Sequence, residues 1–228
     1  MALFLKNILA KSKFVNKISS GFTLIELVVV MGIMMIVTTV VIYNFQNFNS
    51  TTLVTNYAYE VAFAVKEAQV YGLSVLKGGS VSTAGFLQGY GVHLDNASLD
   101  VPATFILFAD FPLDYTQSPV GDGVYASSTQ DSLLKTYSFA GRYKVKQFCV
   151  PLVSGGVATD CASTIGTKMK LDITFVRPNP DARIKITEED SSTRDNLSSA
   201  EITIVSPQGS EKKIVVYSTG QISIQNSP

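Results

Sequence analysis

The chain has 228 residues, 46% of them hydrophobic and only 16% charged, and its 18 basic residues balance 18 acidic ones. Soluble domains usually carry about 25% charged residues, so the composition argues against an ordinary soluble chain. A length of 228 residues bounds it to one or two domains, and the zero net charge points to no class of partner.

The charge is uneven along the chain. Residues 1–21 hold Lys6, Lys11, Lys13 and Lys17 and no acid; without them 14 bases face 18 acids. Next comes an unbroken run from Phe22 to Ile42, 21 residues in which Glu26 is the sole charge. As a helix rising about 1.5 Å per residue it would measure roughly 31 Å, close to a bilayer core. The basic residues before it would stay cytoplasmic and the remainder would lie outside. A secretory signal peptide has a shorter apolar core and is cut after it, and no A-x-A pattern follows this run promptly. A plain anchor has no use for Glu26, since a carboxylate within a span costs about 2.5–3.5 kcal/mol on insertion scales.

The segment Gly21-Phe22-Thr23-Leu24-Ile25-Glu26 resembles the class III signal of type IV pilins and pseudopilins: a basic leader, Gly, Phe, three residues, Glu, then an apolar helix. The resemblance implies that a membrane prepilin peptidase cuts after Gly21 and methylates the new amine of Phe22. It also implies that Glu26 pairs with the terminal amine of a neighbouring subunit during assembly. An unpaired charge is costly in low dielectric and a paired one tolerable, so such a carboxylate would favour docking in one register.

Beyond Tyr43 the helical pattern continues. Leu53, Tyr57, Val61, Ala64, Val65, Ala68 and Tyr71 trace one face, and Asn56, Glu60, Lys66, Glu67 and Gln69 lie on the other. This predicts an amphipathic half packed on a globular domain, ending near Gly72 and Lys77-Gly78-Gly79. Many pilins carry a kinking proline near the outer end of the apolar half, where this chain has Tyr43. From Gly79 the chain reads as strands: "GYGVHL", "TFILFAD", "YSFAGRYKVKQFCV", "KLDITFV", "ARIKIT", "AEITIV" and "KKIVVYSTGQISI". Turn residues separate them, and no helices intervene. The expected fold is therefore α+β, a long N-terminal helix followed by an antiparallel β-rich domain of one or two sheets. Its expected parts are a cleaved leader (1–21), a transmembrane and assembly half of the helix (22–43), an amphipathic half (44–77) and an extracytoplasmic domain (79–228).

The last third, "LDITFVRPNPDARIKIT" and "AEITIVSPQGSEKKIVVYSTGQISI", resembles the C-terminal region of GspH/FimT-type minor pilins, with Gly220-Gln221 where many relatives have Gly-Arg. Cys149 and Cys161 enclose eleven residues, and outside the membrane a disulfide is the natural reading. His93, the only histidine, falls in a strand and reads as structural. Asp110, Asp114 and Asp122 share a loop and are weak calcium candidates, without EF-hand spacing. Arg142, Lys144 and Lys146, two apart and all on one side of a strand, could track a phosphate backbone, although a solvated strand face is the better account. Some GspH/FimT-type pilins bind DNA, but through basic residues near the chain end, and the tail "STGQISIQNSP" has none.

No nucleophile–base pair, phosphate loop or metal cluster stands out, so no enzymatic activity and no cofactor are expected. The expected role is a structural subunit, minor rather than major, of a type IV pilus or type II secretion pseudopilus. Its partners would be the prepilin peptidase, other pilin or pseudopilin subunits and the bacterial cytoplasmic membrane, from which it passes to the cell surface. A DNA-binding pilin for natural competence and an anchored ectodomain that never polymerises are the alternatives, and nucleic acid is the less favoured partner.

Overall fold

The structure is a computed structural model describing residues 21–74, 88–99, 102–112, 121–126, 130–151, 159–163 and 169–226. The leader, the Lys77-Gly78-Gly79 break and the boundary at residue 79 lie outside the described residues. The chain forms two compact units, Met1–Phe45 and Gln46–Pro228. Helix α1 (Leu24–Leu73) supplies residues to both.

In the first unit the helix has no proline and one glycine, Gly32. Leu24–Tyr43 has a mean hydropathy of 2.6, and none of it is buried. Its two threonines hide their polarity locally. Thr38 Oγ1 donates to the Met34 carbonyl at 2.7 Å and Thr39 Oγ1 to that of Met35 at 2.8 Å. Such back-bonding satisfies a hydroxyl where no water is available.

In the second unit one face of α1 is a core surface. Val54, Ala58, Val61, Ala64, Val65 and Ala68 are fully buried, and Leu53, Tyr57 and Tyr71 pack partly buried beside them. Three alanines in the stripe let the helix sit close to what it covers. Gly72 carries this furthest: a Cβ there would lie 2.5 Å from the carbonyl oxygen of Phe175. Gln69 departs from the expected polar face. It is buried, and its Nε2 donates to the carbonyls of Pro180 (2.9 Å) and Gly220 (3.3 Å), answering two groups that would otherwise be stranded in the core. Glu67 is half-buried and accepts hydrogen bonds from Tyr71 and Tyr137, at 2.8 and 2.7 Å.

Among the described residues the rest is antiparallel β-structure with one short helix, α2 (Asn96–Leu99). In chain order the strands are β1 (Gly89–Leu94), β2 (Thr104–Asp110), β3 (Ser132–Ser138), β4 (Lys144–Pro151), β5 (Thr159–Ser163), β6 (Met169–Phe175), β7 (Ala182–Glu188), β8 (Thr193–Arg194), β9 (Ser199–Val205), β10 (Glu211–Tyr217) and β11 (Ile222–Asn226). They form a six-stranded sheet in the order β3-β2-β1-β6-β7-β8 and a five-stranded sheet in the order β11-β10-β9-β4-β5. Alternation sorts their side chains: Val92, Leu107 and Ile173 of the first sheet and Val145, Ile202, Ile204 and Ile214 of the second join the helix stripe in one core. This is the α+β fold expected, with two sheets.

Two long apolar stretches are each interrupted. "YSFAGRYKVKQFCV" belongs to two different sheets, because a turn at Gly141 (φ 71°) ends β3 and starts β4. The turn is fixed by its flanking rings, Phe139 and Tyr143, whose centroids lie 4.6 and 5.0 Å from that of Tyr57 on α1. "KKIVVYSTGQISI" is a hairpin that reverses at Gly220 (φ 79°). A Cβ there would collide with the Pro180 carbonyl oxygen, so glycine meets both a backbone and a packing demand.

The first sheet has an unusual second face. Gly89, Gly91 and His93 of β1 stand opposite Asp110 and Phe108 of β2 and Thr174 and Asp172 of β6. All seven are buried, although six are polar or glycine and none belongs to the main core.

Because the Gly72–Phe175 approach fixes the end of α1, Gly72→Ala should destabilise the domain by about 1–3 kcal/mol, the usual range for overpacking. Urea unfolding of the detergent-solubilised chain, followed by tyrosine fluorescence, checks this; unchanged stability would mean the helix end is free to shift.

Candidate functional site

The N-terminal segment is built from its cap upward. Gly21, Phe22 and Thr23 are not helical, and α1 starts at Leu24. Thr23 is the N-cap: its carbonyl accepts the Leu27 amide at 3.1 Å, and its Oγ1 accepts the Glu26 amide at 3.3 Å. Thr23-Leu24-Ile25-Glu26 has the spacing of a capping box, in which a Thr at the cap and a Glu three residues on terminate the helix together. The acid in the first turn also suits the positive end of the helix dipole. The Gly21–Phe22 bond therefore lies in exposed, non-helical backbone, one residue ahead of the cap. Phe22 is 80% exposed, and a Cβ at Gly21 would meet nothing within 4 Å. The capping role of Thr23 was not drawn from the sequence, though its T-x-x-E signal stands there in full.

The other residues singled out from the sequence are scattered. Cys149 and Cys161 face each other across β4 and β5 and are joined by a disulfide. Arg142 sits in the turn before β4, not on the strand. Lys144 and Lys146 are on β4, but the register shifts between Val145 and Gln147, and the Lys146 ammonium is bound to Glu211 at 2.6 Å. Asp114 lies outside the described residues. Asp110 is fully buried at the end of β2, whereas Asp122 is exposed. Asp122 Oδ1 accepts the Val124 amide, and its carbonyl accepts the Lys185 ammonium at 2.6 Å. Among the described residues no group of three or more His, Cys, Asp or Glu side chains is arranged to hold a metal ion.

What joins Asp110 to Asp122 is a backbone segment, residues 121–126, seated on the second face of the six-stranded sheet. Three carboxylates hold it by its amides. Asp110 Oδ2 accepts Gly123 N–H (2.9 Å), Asp172 Oδ1 accepts Tyr125 N–H (3.1 Å), and Asp131 Oδ2 accepts Ala126 N–H (2.9 Å). Asp172 Oδ1 also lies 2.7 Å from Nδ1 of His93, and the Tyr125 ring packs against His93 and Phe108, with centroids 5.2 Å away in each case. Burial raises the carboxyl pKa of Asp172 and Asp131 above the ordinary value. Burial, reinforced by Asp131 and Asp122, pushes Asp110 up to about 7. His93 thus has the structural place expected of it. Asp131 and Asp172 were not singled out from the sequence, where the only hint was an acid inside the apolar strand "KLDITFV".

A family model described as the prokaryotic N-terminal methylation motif matches residues 16–42. No curated protein and no solved structure matches the chain. The matched motif points to a type IV pilin-like or pseudopilin-like protein, with an apolar N-terminal helix of the kind such proteins use.

The disulfide gives a direct check. Native, unreduced protein should take up no thiol label at Cys149 or Cys161, and Cys149→Ser/Cys161→Ser should lower stability by about 2–3 kcal/mol, as expected for closing a short loop. Two labelled thiols in the native chain would contradict the pairing.

Proposed function

We propose that the chain is a non-enzymatic structural subunit of a type IV pilus or type II secretion pseudopilus, cut after Gly21, N-methylated at Phe22 and assembled through its N-terminal helix. The observation that carries this reading is the twenty-residue apolar stretch Leu24–Tyr43, unburied in the chain and preceded by an accessible Gly21–Phe22 bond. Before assembly the bilayer covers that stretch, with the β-rich domain outside; after assembly the helices of neighbouring subunits cover it. The prepilin peptidase and the other subunits are its partners. The GspH/FimT-like strand pattern of residues 171–224 supports a minor subunit. A DNA-binding role gains no support from β4, where Lys146 is already neutralised by Glu211.

Glu26 has two candidate duties, helix capping and pairing with the Phe22 amine of a neighbour. They are separable. Thr23→Ala removes the cap oxygen, a loss of about 1 kcal/mol, and keeps the carboxylate. Glu26→Gln keeps a hydrogen-bond acceptor and removes the charge.

Mass spectrometry of the membrane-extracted protein should find a mature chain beginning at methylated Phe22; a chain retaining residues 1–21 in cells with active prepilin peptidase would contradict the processing step. Glu26→Ala and Glu26→Gln should be cleaved and membrane-retained, yet co-purify with sheared filaments at least about tenfold less, because a neighbour's amine would be buried unpaired. Thr23→Ala should incorporate nearly as well as wild type. Equal failure of Thr23→Ala would assign Glu26 to capping, and normal incorporation of both Glu26 variants would remove it from assembly.

A further inference from the structure

Residues 121–126 are tied down in an unusual way. The segment contributes no strand, and it lies on the outer face of the six-stranded sheet, with Gly123 beside Thr174 and the Tyr125 ring against His93 and Phe108. Within this face the sheet itself requires glycine at 91, where a Cβ would lie 2.5 Å from Thr174 Cγ2 and 2.8 Å from the Ile173 carbonyl. Three amides of the segment, at 123, 125 and 126, end on three different carboxylates. Two of these carboxylates are served elsewhere as well. Asp131 Oδ1 accepts the Phe111 amide at 3.1 Å, and Asp172 meets His93. Asp110 is served by Gly123 alone: it is fully buried, and its Oδ1 has no hydrogen-bond partner. Gly121 is packed flush on that oxygen, so close that a Cβ at 121 would overlap the carboxyl group. With the segment seated, Oδ1 is buried from solvent.

The charged neighbourhood makes this position sensitive. The groups acting on Asp110 are the carboxylates of Asp131 ahead of β3, Asp122 on the segment itself and Asp172 on β6, all of the same sign. β1 contributes only Gly89 at the facing position. Among the described residues, the groups acting on Asp110 include no cation; close by, Lys185 of β7 binds the Asp122 carbonyl and His93 lies against Asp172. A neutral Asp110 leaves one uncharged polar atom buried without a partner. An ionised Asp110 leaves a buried charge among three other carboxylates.

We propose that residues 121–126 form a proton-controlled strap, seated on the sheet while Asp110 holds a proton and lifted as that proton is lost. The direction follows from linkage. Seated, Asp110 titrates at about 7; hydrated beneath a lifted strap, it returns toward its ordinary value of 3.8. A group whose pKa is raised in the closed state stabilises that state fully below the open-state value, and the stabilisation falls away as pH rises to the closed-state value. Opening should therefore increase by about tenfold per pH unit between roughly 4 and 7 and level off above 7. Lifting the strap would uncover Asp110, His93, Phe108 and Thr174, which it covers when seated, so the outer face of the domain would differ between acidic and neutral surroundings.

Amide hydrogen exchange of the full chain in detergent, corrected for the intrinsic pH dependence of exchange, tests the strap. Protection at Gly123, Tyr125 and Ala126 should fall from pH 4.5 to 7 and flatten above, while β9 and β10 stay protected throughout. Asp110→Asn should flatten the fall, leaving only the part that the buried carboxyls of Asp131 and Asp172 contribute. Asp122→Asn, a change at an exposed side chain, should keep the fall but move its levelling point to lower pH, because one like charge is gone. Flat protection in the wild type, a fall of wild-type size in Asp110→Asn, or a levelling point unmoved in Asp122→Asn would each overturn the proposal. The Asp122 arm decides the matter even if the Asp110 variant does not fold.

Discussion

An apolar helix twenty residues long, none of it buried by its own chain, cannot stand in water. Leu24–Tyr43 presents Leu27, Val30, Ile33, Ile36, Val40 and their neighbours at more than half exposure. At about 25 cal/mol per Å² of apolar surface, leaving this helix hydrated is far more costly than any single contact in the domain is stabilising. Every other feature of the N-terminal region works within that constraint. Thr38 and Thr39 bond back to their own helix, the helix start is satisfied by Thr23, and the one carboxylate sits in the first turn. The segment is thus internally satisfied and externally apolar, which suits two environments in turn, lipid and the apolar helices of like subunits. The methylation motif over residues 16–42 agrees with such a use.

The same helix solves a different problem in its second unit. There the stripe is narrow and built from Val and Ala, so the backbone approaches the strands closely, and Gly72 and Gln69 hold its far end to Phe175, Pro180 and Gly220. Tyr57, Tyr71 and Tyr137 spend their hydroxyls on the Ala140 backbone and on Glu67. Amphipathic in this half and apolar all round in the other, one helix divides its surface between a fixed domain core and an interface supplied by the surroundings.

Much of this was legible in the sequence, for identifiable reasons. The apolar run and its preceding Gly-Phe are strong signals because length and charge alone define them. The helix stripe and the β-region followed from 3.6- and 2-residue periodicities, and the cysteine pair from the setting outside the membrane that the apolar run implied. The failures have a common cause, in that an apolar alternation does not say where a strand changes sheet. "YSFAGRYKVKQFCV" reads as one strand, yet Phe139 and Tyr143 leave it to pack on Tyr57. Lys146 looked free until Glu211, 65 positions away, came beside it. Gln69 looked like a solvated residue because the carbonyls it serves arrive from residues 180 and 220. The strap is the extreme case: Asp110, Asp131 and Asp172 belong to three separate segments, and only the order β3-β2-β1-β6 places them around one stretch of backbone.

The measurement that bears most directly on the assembly reading is site-specific photo-cross-linking from the exposed helix face. A photoreactive amino acid placed at Met31 or Val40 leaves the β-domain untouched and reports what covers the helix. If Leu24–Tyr43 passes from bilayer to filament, the probe in cells should label lipid in the membrane-resident pool, and in sheared filaments it should cross-link to another pilin-like subunit. Labelling of lipid alone, with no subunit adduct in any fraction, would identify a simple anchor and contradict assembly through this helix.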